Sequence, residues 1–283
     1  MNLFINNNEM KKVIALILIA IAASLSANAQ IGKMAAMKGK VTNGYDFWLY
    51  APQQYFERTT DKFPVIIYLH GRGMVGKGLR NADKYYTLEA IAMGREINAM
   101  VIAPQNPSGS WKPERLNNIL DWVLENYRAD PDSVYVIGMS LGGYGTMDFV
   151  GTYPEKIAAA IALCGGTTLK DVQGMGKFPF WILHGTADEA VNIRESKKVV
   201  EALKQAGNDS LLRYDWLPGA NHGRLARICY MKQAYEWLLS HSRASKPQVV
   251  NRDVVIDMGA IANTYKGLRT RNKTPIPIVD DLK

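Results

Sequence analysis

Short, nearly unbroken apolar runs alternate along this chain with longer stretches whose apolar residues recur three and four positions apart. Val65-Ile66-Ile67-Tyr68-Leu69 is one such run, residues 99–103, 134–137, 157–163 and 178–183 are others, and residues 211–217 read as a further strand. Strands that are apolar on both faces belong inside a sheet covered on both sides. Residues 113–127 place Leu116, Ile119, Leu120, Val123, Leu124 and Tyr127 on one helical face, and residues 141–153, 193–205 and 225–241 read as further helices. An aromatic, β-prone segment at 45–52 precedes them. The alternation predicts an α/β fold with a mostly parallel central sheet and helices on both faces. Ligands of such sheets bind beyond the carboxyl ends of the strands, so the loops there are where chemistry is expected.

Composition narrows the class further. A chain of 283 residues with 47% hydrophobic and 21% charged residues folds as a globular protein and has room for one sizeable core. Two cysteines exclude a disulfide scaffold and a Cys-rich metal site, and two buried thiols are expected rather than a bridge. The net charge of +8 is spread without a block of five Lys or Arg, so no nucleic-acid partner is expected. Met10-Lys11-Lys12, the apolar residues 13–25 and Ala27-Asn28-Ala29 have the three parts of a secretory signal peptide, with cleavage expected after Ala29. The apolar run falls short of the roughly 20 residues that span a bilayer. A secreted or periplasmic protein without stable membrane insertion is the expectation.

Two glycine-rich loops follow strands. Gly71, Gly73 and Gly76 match G-x-G-x-x-G, and Gly76-Lys77 resembles part of a phosphate loop. Gly78 stands where that loop needs Ser or Thr, and no amphipathic helix opens behind it, so a nucleotide site is not expected. Gly138-Met139-Ser140-Leu141-Gly142 lies between a strand and a helix, which is the setting of a nucleophile elbow. The turn lifts Ser140 above the sheet edge at a helix N-terminus, where backbone N–H groups favour a developing anion.

A serine hydroxyl needs a base, and the base needs an acid to orient it. In the order serine, acid, histidine, His70 and His184 stand too early, and His241 lies in the last helical stretch. His222 remains, in the polar loop Pro218-Gly219-Ala220-Asn221-His222-Gly223. The loop after residues 178–183 offers Asp188 as the acid, with Glu189 the fallback. Oxyanion donors are expected at the backbone N–H of Leu141 and at Arg72, with Gly73 the alternative to Arg72.

His70-Gly71-Arg72-Gly73, Gly138 to Gly145, His184-Gly185-Thr186-Ala187-Asp188 and Asn221-His222-Gly223 together resemble an α/β-hydrolase. Ala103-Pro104-Gln105, Trp111, Tyr153-Pro154-Glu155 and Cys164-Gly165-Gly166 are similar to its secreted esterase branch, around phospholipase/carboxylesterase and feruloyl-esterase groups and "predicted peptidases". The resemblance implies an α/β-hydrolase catalytic domain over residues 30–242 with no large lid insertion, and no cofactor or metal. It implies a small-molecule or polysaccharide-linked ester as substrate, with acetyl and feruloyl groups as options. Trp111 and Tyr144 could flank the acyl group or could pack in core or rim. Arg72 stands where such enzymes more often carry a small or apolar residue. Residues 243–283 form a C-terminal extension of unassigned role, in which residues 249–258 read as a strand. A small serine peptidase and a non-catalytic binding protein on the same scaffold are the alternatives; oligomeric state is not readable from the sequence.

Overall fold

The computed structural model describes residues 31–269 and 274–283; the expected signal peptide lies outside them. Nine strands form one sheet among the described residues: β1 (Lys33–Met37), β2 (Phe47–Ala51), β3 (Phe63–Leu69), β4 (Met100–Pro104), β5 (Ala129–Met139), β6 (Ala159–Leu163), β7 (Phe180–Gly185), β8 (Leu212–Leu217) and β9 (Ile278–Val279). Their order is β8-β7-β6-β5-β3-β4-β2-β1-β9. From β4 to β8 every neighbouring pair is parallel, and β2 adds antiparallel to β4. β4 and β5 flank β3 on opposite sides, so the strand order reverses there. The crevice beyond the ends of β3 and β5 is the topological switch point, where this architecture places its ligand site.

Burial explains the strands. β4 and β6 are buried at every position, as the apolar runs required. The helix Pro113–Asn126 opens on a proline with Glu114 in its first turn and buries Leu116, Ile119, Leu120 and Val123. The helix Arg194–Gln205 buries Val199, Val200 and Leu203 along one stripe and leaves its lysines in water. No helix of the described residues is long and apolar enough to cross a membrane.

Two expectations need correction. The last helical stretch is in three pieces: His222–Ala226, a 3-10 turn Arg227–Tyr230 and the helix Lys232–Leu239. All three bury apolar residues, so a continuous apolar pattern does not report the extended backbone at Met231. Residues 249–258 form no strand; Ile278–Val279 takes the free edge beside β1 instead. The strand β1 itself was not anticipated. The extension is bound into the domain, with Leu282 at 1% exposure and the Tyr127 hydroxyl donating to Asp281 at 2.8 Å.

The helix Leu141–Thr152 is buried nearly all round and sits directly against the sheet. That approach needs glycine: a Cβ on Gly142 would lie 1.9 Å from the Leu69 carbonyl oxygen, and one on Gly138 2.3 Å from the Gly142 oxygen. Gly142→Ala is therefore expected to destabilise the protein by more than about 3 kcal/mol in urea unfolding. Gly73→Ala, with open space around it, should change stability by less than about 0.5 kcal/mol.

Candidate active site

Ser140 occupies the turn between β5 and the helix Leu141–Thr152 with φ 59° and ψ −119°. A left-handed backbone at a non-glycine residue costs on the order of 1–3 kcal/mol and persists only where the surroundings impose it. Here its N–H donates to the Leu163 carbonyl at 2.9 Å and its carbonyl accepts from Tyr144 N–H at 3.0 Å, so neighbouring elements hold the turn on both sides. Leu141 opens the helix, where the first N–H groups lack intrahelical acceptors.

The loop after β3 lies beside it. An added Cβ on Gly71 would sit 3.5 Å from that of Ser140, and Arg72–Met74 forms a single 3-10 turn whose N-terminal N–H groups include those of Arg72 and Gly73. His70 shapes this loop from beneath. Its Nε2 accepts from Asn106 N–H at 3.1 Å, which leaves the proton on Nδ1 to donate to the Gly71 carbonyl at 2.9 Å. Burial pushes its pKa down, consistent with a neutral ring.

Asp188 and His222 come from the loops after β7 and β8. His222 Nδ1 and Asp188 Oδ2 are 2.8 Å apart, the carboxylate fully buried and the imidazole 27% exposed. Asn221 caps the short helix that His222 opens, accepting from Arg224 N–H at 3.0 Å. His222 is thus the first residue of a helical turn, where a loop position was expected. Asp188 Oδ1 accepts from the N–H groups of Ala190 and Val191, both at 2.9 Å. Burial alone would raise this carboxyl group; the Val191 N–H, the His222 ring and the Ala190 N–H outweigh it and hold the pKa below the usual range.

Behind this pair, His184 is fully buried, 3.6 Å from Asp188 Oδ2. Its ring bonds the Ser196 hydroxyl at 2.8 Å and the Val191 carbonyl at 3.0 Å, so it braces the turn that supplies the N–H donors to Asp188. Cys164 and Cys229 are both free and buried. Cys164, Asp188 and His222 bring possible metal ligands within 4.8 Å of one another. Two of the three are already joined by a hydrogen bond, and burial drives the Cys164 thiol well above its ordinary pKa, which disfavours the thiolate a metal would need.

One cleft of about 480 Å³ joins these parts. Gly71, Arg72 and Gly73 line one part, Ser140, Leu141 and Tyr144 the elbow, and Ala190, Val191 and His222 another, with Tyr86 completing the wall. A larger groove of about 600 Å³ runs between the helix Arg194–Gln205 and Trp216, but it has no serine or histidine. Size does not choose the site here; the chemistry of the lining does.

Trp111 is not part of the cleft. It is 2% exposed, sits edge-on to Tyr45 and His70 at 5.2 and 4.8 Å, and donates from Nε1 to the His70 carbonyl at 3.2 Å. The large apolar ring is worth more in the core than at a solvent-lined wall, and it fixes the loop through His70 instead. Tyr144 does line the cleft, half-buried. Tyr86 was not singled out from the sequence. It arrives through the β3–β4 connection, at the start of the helix Tyr86–Ala92, and nothing local in Tyr85-Tyr86 marks it.

The profile of the dienelactone hydrolase family matches residues 97–238, which contain Ser140, Asp188 and His222. A putative alpha/beta hydrolase of Acanthamoeba polyphaga mimivirus, L404, is 28% identical over 135 residues, covering 41% of this chain and 49% of that protein. Acetylxylan esterase A of Emericella nidulans is 38% identical over 58 residues, 20% of this chain and 19% of its own. The chain thus spans about half or less of the length of these curated relatives. Among solved structures, a thermostable esterase superposes with a TM-score of 0.61 at 25% identity, over 70% of this chain and 59% of that one. Half of the chain fits the family profile, and the turn that carries Ser140 lies at the switch point of the sheet: the protein belongs to the dienelactone hydrolase family.

Proposed function

We propose that this protein is a serine hydrolase of carboxylic esters, of the dienelactone hydrolase and acetylxylan esterase type. The observation that carries the reading is the one cleft that Ser140 and His222 both line, with His222 held by buried Asp188. Ser140 Oγ attacks the ester carbonyl while His222 Nε2 takes the hydroxyl proton. Asp188, bonded to Nδ1, keeps the opposite nitrogen free as base and stabilises the imidazolium that forms. The tetrahedral oxyanion is held by the N–H of Leu141 and that of Arg72 or Gly73, each donor contributing about 3 kcal/mol to the transition state. The imidazolium then protonates the departing alcohol. Water, deprotonated by His222, attacks the acyl-enzyme, releasing the acid and restoring Ser140. The route calls on no cofactor.

Acetyl or feruloyl esters of plant polysaccharides are the substrates this reading favours, acetyl from the acetylxylan esterase relative and feruloyl from the resemblance of the sequence to feruloyl esterases. The basic, apolar and small-residue pattern of residues 10–29 supports export. The test is a panel of short-chain p-nitrophenyl esters, methyl ferulate, acetylated xylan and a proline p-nitroanilide, run on the protein from Gln30 onward. Ester turnover is expected. Anilide turnover in its absence would replace the esterase reading with a peptidase.

A further inference from the structure

Two non-glycine residues lining the cleft hold a positive φ, Ser140 at 59° and Tyr86 at 63°. For Ser140 the exposure of the nucleophile accounts for the strain; Tyr86 has no part in the steps above. An observed outlier at a site is a reason to ask what its side chain does there. The surroundings impose it firmly: the Tyr86 N–H donates to the Tyr230 hydroxyl at 2.9 Å, and that hydroxyl donates to Glu89. The ring packs against Tyr68 at 5.2 Å with a 34° tilt and against Tyr230 at 6.3 Å with a 43° tilt. Tyr86 is thus a rigid, backed aromatic surface rather than a mobile rim residue.

The rest of the lining suits a planar apolar group. Met139, Leu141, Ala190 and Val191 line the cleft with apolar side chains, and among the described residues its lining includes no Asp, Glu, Asn or Gln; outside Ser140 and His222 its polar side-chain groups are those of Arg72 and the two tyrosines. Topology gives the side. Tyr86 comes from the β3–β4 connection, whereas His222, which protonates the departing alcohol, comes from the loop after β8 at the opposite end of the parallel run. The acyl group therefore extends toward Tyr86. We propose that Tyr86 is a specificity-determining residue, the wall on which the aromatic ring of an aryl acid ester stacks. For turnover this rests on the esterase reading; for binding it does not.

Tyr86→Gly removes the ring and suits the left-handed backbone, whereas Tyr86→Phe keeps the ring. On methyl ferulate, Tyr86→Gly is expected to lower kcat/KM by about 10–100-fold, mostly through KM, and Tyr86→Phe by less than about 3-fold. Ethyl acetate, without a ring, and phenyl acetate, with the ring on the alcohol, should change by less than about 3-fold. An equal fall on all three esters, no fall on methyl ferulate, or a fall confined to phenyl acetate overturns the proposal. Calorimetric ferulate binding to Ser140→Ala, with and without Tyr86→Gly, separates the two readings. Binding that needs the Tyr86 ring, in a protein that turns over no ester, would sink the esterase reading and leave Tyr86 standing. Binding indifferent to the ring would sink Tyr86 alone. Thermal melting checks that each variant is folded.

Discussion

Ser140→Ala is expected to lower kcat for ester hydrolysis by about 10⁵-fold while leaving ester binding within a few-fold of the parent protein. In the proposed route the hydroxyl supplies the bond-forming atom, so its removal takes away the acyl-enzyme and leaves only the backbone donors and the positioning of the ester. Stability should separate the alanine variant from a second one. Ser140 holds φ 59°, and alanine inherits that strain, whereas glycine does not. Ser140→Gly is therefore expected to be as inactive as Ser140→Ala yet more stable by about 1 kcal/mol in urea unfolding. If Ser140→Ala retains more than about a hundredth of the parent kcat, the nucleophile lies elsewhere. Equal stability of the two variants would show that the turn carries no strain.

Asp188→Asn is expected to lower kcat by about 10⁴-fold, the scale known for this exchange in another serine hydrolase. The reason is local. Two backbone N–H groups, from Ala190 and Val191, donate to Oδ1, so the carboxamide oxygen of an asparagine must stay there. Its NH2 then faces His222 Nδ1, which has to accept, and the ring proton moves to Nε2. In that tautomer His222 cannot take the Ser140 proton. Acid titration supplies an independent reading. The folded-state pKa of Asp188 lies below its ordinary value, so the carboxylate's contribution to stability is complete above the unfolded-state pKa of about 3.9 and is lost as pH falls through the folded pKa. Asp188→Asn should remove that part of the acid-side loss, flattening the fall in melting temperature between pH 5 and the acid limit. An unchanged acid limb would mean that the network does not depress the carboxyl group.

The parts of this protein legible in its sequence are those governed by local chain physics. A strand buried on both faces must be apolar throughout, and a helix that begins above Leu69 must carry glycine at 142; both requirements are written in the residues themselves. The parallel run β4 to β8 and the position of Ser140 follow from them, as does the order in which an acid and a histidine can appear at later strand ends. Other features depended on which distant groups meet. His184 and His222 both reach Asp188, at 3.6 and 2.8 Å; chain order sets His184 aside, but that it braces the acid's turn through Ser196 and Val191 is seen only in the packing. Trp111 turned inward because the core beneath the elbow had room for it, and residues 278–279, not 249–258, became the edge strand because they reach the free side of β1. The sequence by itself determined the sheet, the turn at Ser140 and the order of the residues proposed for the chemistry, since each depends on steric and burial needs a few residues long. The tertiary structure alone decided the walls of the cleft, Tyr86 above all, because a wall is made where segments far apart in the chain are brought together by packing.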